Sequence, residues 1–213
     1  MSSLIGILSL LFALAATSYA LSCTLCSSDT TTSCTGSSVS CSPGQSCGSV
    51  YSDSRAGVVS ATNFVRSCIP SSQCDFTGSM TVQYVYMRMA ISCCSTDNCV
   101  PKVPSLPKMN LTNNGLVCRS CISDKSDWCY TSDTMKCTGA EHMCMLQRTK
   151  AGSIKAAMRG CATKSICDLG KWTENTGGVS AEVKFICTSG GITVHKVLLT
   201  PAIVCLLLLN FFF

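Results

Sequence analysis

Leu21-Ser22-Cys23-Thr24-Leu25-Cys26 opens the stretch that decides the fold, and Cys93-Cys94-Ser95-Thr96-Asp97-Asn98-Cys99 closes it. Ten cysteines lie in it: Cys23, Cys26, Cys34, Cys41, Cys47, Cys68, Cys74, Cys93, Cys94 and Cys99. An even set in so short a span reads as a disulfide framework in an oxidising compartment, whereas Cys-x2-Cys pairs in isolation also suit zinc. The N-terminus decides between them. Leu4 to Ala16 is apolar, and Ser18 and Ala20 are small residues where a signal peptidase reads, so the mature chain is expected to begin at Leu21. The run is shorter than the ~20 residues a membrane span needs. Along the secretory route the thiols are expected to pair, leaving none for a metal.

Working outward, the spacing repeats. The first block reads C-x2-C-x7-C-x6-C-x5-C-x20-C-x5-C-x18-C-C-x4-C. A second reads C-x2-C-x7-C-x7-C-x6-C-x16-C-x5-C-x19-C, through Cys118, Cys121, Cys129, Cys137, Cys144, Cys161, Cys167 and Cys187. Two copies of one module are therefore expected. A block of this size buries only about 60% of its unfolded-chain surface, so its core is thin. Each disulfide contributes about 2–4 kcal/mol, largely by constraining the unfolded chain. The staples, more than the core, hold such a module. Between the blocks, Pro101, Pro104 and Pro107 with Lys102 and Lys108 predict a stiff, polyproline-like spacer rather than a packed element.

The spacing, the Leu-x-Cys-x-x-Cys opening and the Cys-Cys-x4-Cys closing resemble the urokinase-receptor and lymphocyte-antigen-6 family of three-finger domains. A two-module chain of this kind also resembles the gamma-type phospholipase A2 inhibitors and their membrane-bound relatives. The resemblance implies an all-β, disulfide-rich fold of two tandem three-finger (snake-toxin-like) domains. It also implies the pairing: Cys23–Cys47, Cys26–Cys34, Cys41–Cys68, Cys74–Cys93 and Cys94–Cys99 in the first module. In the second it implies Cys118–Cys144, Cys121–Cys129, Cys137–Cys161 and Cys167–Cys187. Two departures stand out. Val100, not the family's usual asparagine, follows Cys99, and the second block lacks the closing Cys-Cys-x4-Cys. The expected organisation is a signal peptide at 1–20, a first domain at 21–100, a linker at 101–117, a second domain at 118–189 and a C-terminal propeptide at 190–213.

The segments between cysteines read as hairpins. Tyr51 to Phe64 is expected to turn at Arg55-Ala56-Gly57, where glycine accepts the positive φ of a tight turn. Thr81 to Ile91 is β-rich and apolar on both faces; Tyr84 and Tyr86 either pack between modules or form a ligand platform. Met145 to Gly160 is expected to turn at Lys150-Ala151-Gly152-Ser153 and carries Arg148, Lys150, Lys155 and Arg159 without an acid. Between Cys118 and Thr188 ten Lys and Arg stand against seven Asp and Glu, while Leu21 to Val100 has three against four. The positive character is therefore local to the second module. It would steer an acidic partner, a glycan or an anionic membrane surface, unless these are simply solvated strand residues. No nucleic-acid motif accompanies the charge.

No catalytic constellation stands out. Only His142 and His195 are histidines, and no nucleophile motif, paired-carboxylate motif or phosphate loop is present, so the protein is expected not to be an enzyme and to need no cofactor. Ser189-Gly190-Gly191 precedes an apolar run from Val197 to Phe213 that no Lys or Arg follows. Small residues, a spacer and an apolar end are the pattern of glycosylphosphatidylinositol (GPI) attachment, here expected at Ser189, with Cys205 leaving in the tail. Asn110-Leu111-Thr112 is an N-glycosylation triplet in the linker. The expected function is that of a non-enzymatic, lipid-anchored surface protein that binds an extracellular protein. Arg55, Gly57, Tyr84, Tyr86, Arg148, Lys150, Lys155 and Arg159 are its candidate contacts. The alternative is a secreted inhibitor of the gamma type, whose partner would be a phospholipase A2 or a protease.

Overall fold

The computed structural model describes residues 20–176 and 179–190. The leader up to Tyr19 and the tail from Gly191, with His195 and Cys205, lie outside the described residues. The first module contains β1 (Ser22–Ser28), β2 (Ser37–Ser40), β3 (Gln45–Ala56), β4 (Val59–Pro70), β5 (Thr77–Val82) and β6 (Val85–Cys94). The second contains β7 (Asn113–Arg119), β8 (Cys121–Ser123), β9 (Thr134–Thr138), β10 (Met143–Ala151) and β11 (Ile154–Ala162). It then runs through a short helix, α1 (Lys164–Asp168), to β12 (Lys171–Thr176) and β13 (Val179–Thr188). The all-β, disulfide-rich, two-domain expectation is met.

Each module is built around one long hairpin whose cross-strand cysteines face each other. Cys47 opposes Cys68 across β3–β4, and Cys144 opposes Cys161 across β10–β11. Neither couple bonds to itself. Cys47 joins Cys23 and Cys68 joins Cys41; Cys144 joins Cys118 and Cys161 joins Cys137. The two bridges of each module therefore lie side by side, with Cys41 Sγ 3.1 Å from Cys23 Sγ and Cys137 Sγ 3.3 Å from Cys118 Sγ. Cys23, Cys41, Cys47, Cys118, Cys137 and Cys161 are almost entirely buried, Cys68 and Cys144 partly so, and together they form the cores that short strands could not supply with hydrocarbon. Cys26–Cys34, Cys74–Cys93, Cys94–Cys99, Cys121–Cys129 and Cys167–Cys187 complete the set. The sulfurs of Cys23, Cys41 and Cys68, and of Cys118, Cys137 and Cys161, crowd together as a metal site would, yet every one is half of a disulfide and offers no thiolate.

The hairpins turn where glycine permits. Gly57 (φ +62°) and Gly152 (φ +58°) sit between β3 and β4 and between β10 and β11. The segment from Thr81 to Ile91 is a hairpin rather than one strand. It reverses at Gln83–Tyr84, with Gln83 at φ +53° although nothing in its side chain favours that region. A contact from the other module compensates: the Gln83 amide donates to Ser120 Oγ at 2.9 Å.

The two modules share one sheet, in the order β12-β13-β10-β11-β5-β6-β3-β4-β1-β2. The junction is β11 against β5, pairing Cys161 with Thr81 and Ala162 with Met80. The Thr163 amide donates to the Ser79 carbonyl at 2.9 Å, and the Ser79 amide returns a bond to Thr163 Oγ1 at 3.1 Å. Val82, Phe76, Met80 and Met89 from the first module pack with Met145, Met158, Ala162 and Ile166 from the second. Close approach here depends on Gly160, because a Cβ there would lie 2.0 Å from the Thr81 carbonyl oxygen.

Two expectations about boundaries are corrected. The segment after Cys99 is not a free spacer: Pro101 and Pro104 are buried, the Ser92 hydroxyl donates to the Lys102 carbonyl, and Arg88 Nη1 donates to the Pro107 carbonyl at 3.0 Å. Pro101 and Pro104, three residues apart, are buried and Pro107 is partly so, while Lys102, Val103 and Ser105 between them are exposed. The linker also stops short of 117, and the second domain starts before 118. β7 begins at Asn113, where Asn114 Nδ2 donates to the Gly139 and Glu141 carbonyls at 3.1 Å each. The base of the first module is tied without an asparagine after Cys99. Asp97 Oδ1 accepts from the Ser22 amide at 2.8 Å and Asn98 Oδ1 from the Ser38 hydroxyl at 2.9 Å.

Candidate functional site

The candidate contact residues fall into three places. At the end of the β3–β4 finger, Gly57 makes the turn, Val58 is fully exposed with Val59 beside it, and Arg55 Nε reaches back 3.3 Å to Asp53 Oδ2. Asp53 is buried and also takes the Arg88 guanidinium, so the shaft of this finger is fixed by charge-assisted bonds just below an apolar tip. The β5–β6 hairpin separates the two tyrosines. Tyr84 stands at the tip, 76% exposed, whereas Tyr86 is buried opposite Thr81. Tyr86 is a packing residue near the module junction, and only Tyr84 is presented.

On the β10–β11 hairpin the charge is largely answered from another loop. Arg148 pairs with the Asp127 carboxylate and its Nε donates to the Asp127 carbonyl at 3.0 Å; Lys150 Nζ lies 3.1 Å from Asp127 Oδ2. The Arg148 guanidinium, with Lys150 behind it, holds the Asp127 carboxyl down at about 2. This ties the Cys121–Cys129 loop to the strand. Arg148 and Lys150 are thus partly neutralised, Lys155 stays exposed across from Lys150, and Arg159 points elsewhere.

Arg159 reaches a groove on the second module. Its Nε donates to the Cys129 carbonyl at 2.9 Å, and its guanidinium carbon lies 4.5 Å from the centre of the Trp128 ring. Beside it Arg119, from the end of β7, donates to the Thr131 carbonyl and lies 5.3 Å from the Tyr130 ring. Burial, and then the neighbouring Arg119 cation, lower the pKa of Arg159. Cys144, Met145, Leu146, Ile186, Thr188 and Gly190 complete a cavity of about 330 Å³. Arg119, Trp128 and Tyr130 were not among the candidate residues; their only sequence signal is their place beside Cys118 and Cys129.

Between the modules lies one more ionisable group. Glu141 is almost wholly buried; its Oε1 accepts from Ser79 Oγ at 2.9 Å, and Oε2 has no hydrogen-bond partner. Burial raises its pKa from 4.5 to about 7; the hydroxyls of Thr81 and Ser79 pull the other way, although Thr81 Oγ1 completes no hydrogen bond. Asn110 and Ser189, the expected modification sites, are both exposed.

Comparison with known proteins matches the u-PAR/Ly-6 domain twice, at residues 19–102 and 114–192. The chain is 31% identical over 139 residues to the phospholipase A2 inhibitor 25 kDa subunit of Naja kaouthia, covering 62% of this chain and 75% of that protein. It is 31% identical over 144 residues to the phospholipase A2 inhibitor PIP of Malayopython reticulatus, covering 61% and 68%. Protein RoBo-1 of Rattus norvegicus is 32% identical over 80 residues, 36% of this chain and only 32% of RoBo-1. The crystal structure of mouse TEX101 covers 78% of this chain and 97% of its own at 14% identity, with a TM-score of 0.33, too low to add to the assignment.

Proposed function

Since the chain belongs to the u-PAR/Ly-6 domain family, we propose that it is a non-enzymatic, GPI-anchored cell-surface protein whose two modules bind an extracellular protein. The observation that carries this reading is the contrast between base and tip. Stacked disulfides and the shared sheet hold the fingers rigid, while Val58, Val59, Tyr84 and Ile154 stand exposed at their ends, apolar groups offered to solvent on a pre-organised frame. Anchoring at Ser189 is supported by its exposure directly after β13, two residues beyond Cys187, and by the apolar sequence that follows. Asn110 is proposed to carry an N-glycan.

A second reading, a secreted inhibitor of phospholipase A2, is favoured by one specific observation: the two relatives of that name at 31% identity. No helix among the described residues is long and apolar enough to cross a membrane. The test is to express the full chain in animal cells and treat them with phosphatidylinositol-specific phospholipase C. Release into the medium supports the anchor. Retention beside a lipase-sensitive control protein rejects it, and constitutive secretion of intact protein favours the inhibitor.

A further inference from the structure

The two modules arose as copies of one pattern, and comparing them position by position separates what the fold requires from what one copy has added. Arg66, two residues before Cys68, donates to the Cys34 carbonyl at 3.0 Å; Arg159, two before Cys161, donates to the Cys129 carbonyl at 2.9 Å. That arginine holds the first small loop in both copies and is architecture. The rest of the groove around Arg159 has no counterpart. Arg119, next to Cys118, corresponds to Thr24 next to Cys23, and Trp128 and Tyr130, flanking Cys129, correspond to Ser33 and Thr35 flanking Cys34. Leu146 corresponds to Ser49 and Ile186 to Ser92, by the same distance from Cys47 and Cys93. Five small polar positions of the first module have become a cation, two aromatics and two aliphatics in the second, and all but Tyr130 line one cavity.

No acidic side chain among the described residues answers the second cation. Arg119 and Arg159 repel each other, and among the described residues neither makes a salt bridge, whereas Arg55, Arg88 and Arg148 all do. Each guanidinium is fixed by a backbone carbonyl and an aromatic face, and each keeps further N–H donors. We propose that this groove binds an acidic peptide segment of the partner, with a carboxylate held by Arg119 and Arg159 and an adjoining apolar side chain resting on Leu146 and Ile186. The proposal rests on the protein-binding reading above and adds to the finger tips a second contact, near the root of the β10–β11 finger, whose chemistry it states. An apolar floor between two cations suits alternating acidic and apolar side chains; a sulfated glycan would leave the floor unused, and a lipid headgroup would favour charges on an open convex surface.

The test uses the full chain from animal cells, purified in detergent with its disulfides formed. A fluorescent eight-residue peptide alternating Glu and Leu serves as probe, the same peptide with Gln for Glu as control. Saturable, salt-sensitive binding of the Glu peptide alone is expected. Arg119→Thr and Trp128→Ser install the residues that the first module uses at the same places. Each should weaken binding roughly tenfold or more, the loss of one charge-assisted or stacking contact, measured well below the melting temperature that each variant itself shows. Equal binding of both peptides, or unchanged affinity in both variants, overturns the proposal. So does capture of phosphatidylserine vesicles that the Glu peptide does not displace, which would make the groove a membrane contact. If crosslinking to an extracellular protein survives Arg119→Thr undiminished, the groove fails while the protein-binding reading stands; if the unaltered chain crosslinks to nothing, that reading fails with it.

Discussion

Replacing Glu141 by glutamine should remove a pH dependence built into the module junction. The folded chain buries this carboxyl with one unpaired oxygen, and burial raises its pKa from 4.5 to about 7. No neighbouring charge contributes to that shift. Because the folded pKa lies above the unfolded one, the folded state holds the proton more tightly. The stabilising contribution is complete below pH 4.5 and lost as pH rises through about 7. A rise of this size corresponds to about 3 kcal/mol at 1.36 kcal/mol per pH unit. Glutamine is neutral at every pH and can still accept from Ser79. Glu141→Gln should therefore be more stable than the unaltered protein at pH 8.5, by up to about 3 kcal/mol, and nearly equal to it at pH 5. For a chain of this size that difference amounts to roughly 6–12 °C in melting temperature. Thermal unfolding by circular dichroism at the two pH values, disulfides intact, measures it. Hydrogen exchange at the Ser79 and Thr163 amides locates it at the junction. A variant less stable than the parent at both pH values would refute the reasoning, since it would mean that the buried group is an ionised carboxylate the junction needs.

Gly160→Ala should break the same junction by steric means. Its Cβ would meet the Thr81 backbone, and forced overpacking costs about 1–3 kcal/mol; Gly152→Ala, at a free turn, tests whether glycine loss alone is enough, and exchange protection at Thr163 should fall only in the former. Asp127→Asn should release Arg148 and Lys150, so the variant should elute from heparin at higher salt than the parent at pH 7; in the parent the tether should persist as pH falls until Asp127 protonates, near pH 2. Asn110→Gln should abolish the mass shift produced by glycosidase; a shift that persists would place the sugar elsewhere.

The cysteine spacing made the class and the duplication legible, because disulfides are the core here and their positions lie open in the sequence. The two glycine turns were legible for the same local reason: Gly57 and Gly152 can take a positive φ without help. What escaped was whatever depends on the two modules meeting. Gln83 turns the chain only because Ser120 receives its amide, and no propensity scale contains that bond. Asp127 lies 21 residues from Arg148, so the β10–β11 hairpin looked uniformly basic when read alone. The three-residue proline period was visible, yet a polyproline segment reads equally as spacer or as strap until the surface beneath it is known. The groove was half legible. Arg159 was a candidate for its charge, while Arg119, Trp128 and Tyr130 emerge only when the residues flanking equivalent cysteines are laid side by side.

The strap of Pro101, Pro104 and Pro107, together with the sheet that runs through β5 and β11, bears on how the protein would respond to a protease. A cut at the exposed residues around Asn110 would sever the only covalent path between the modules among the described residues and yet leave the first module held by paired strands, a shared apolar cluster and the Ser79–Glu141 bond. The nicked molecule should migrate as two fragments under denaturing conditions and as one particle under native ones. Separation of the two fragments would then be set by how fast the junction opens, not by how fast the chain is cleaved.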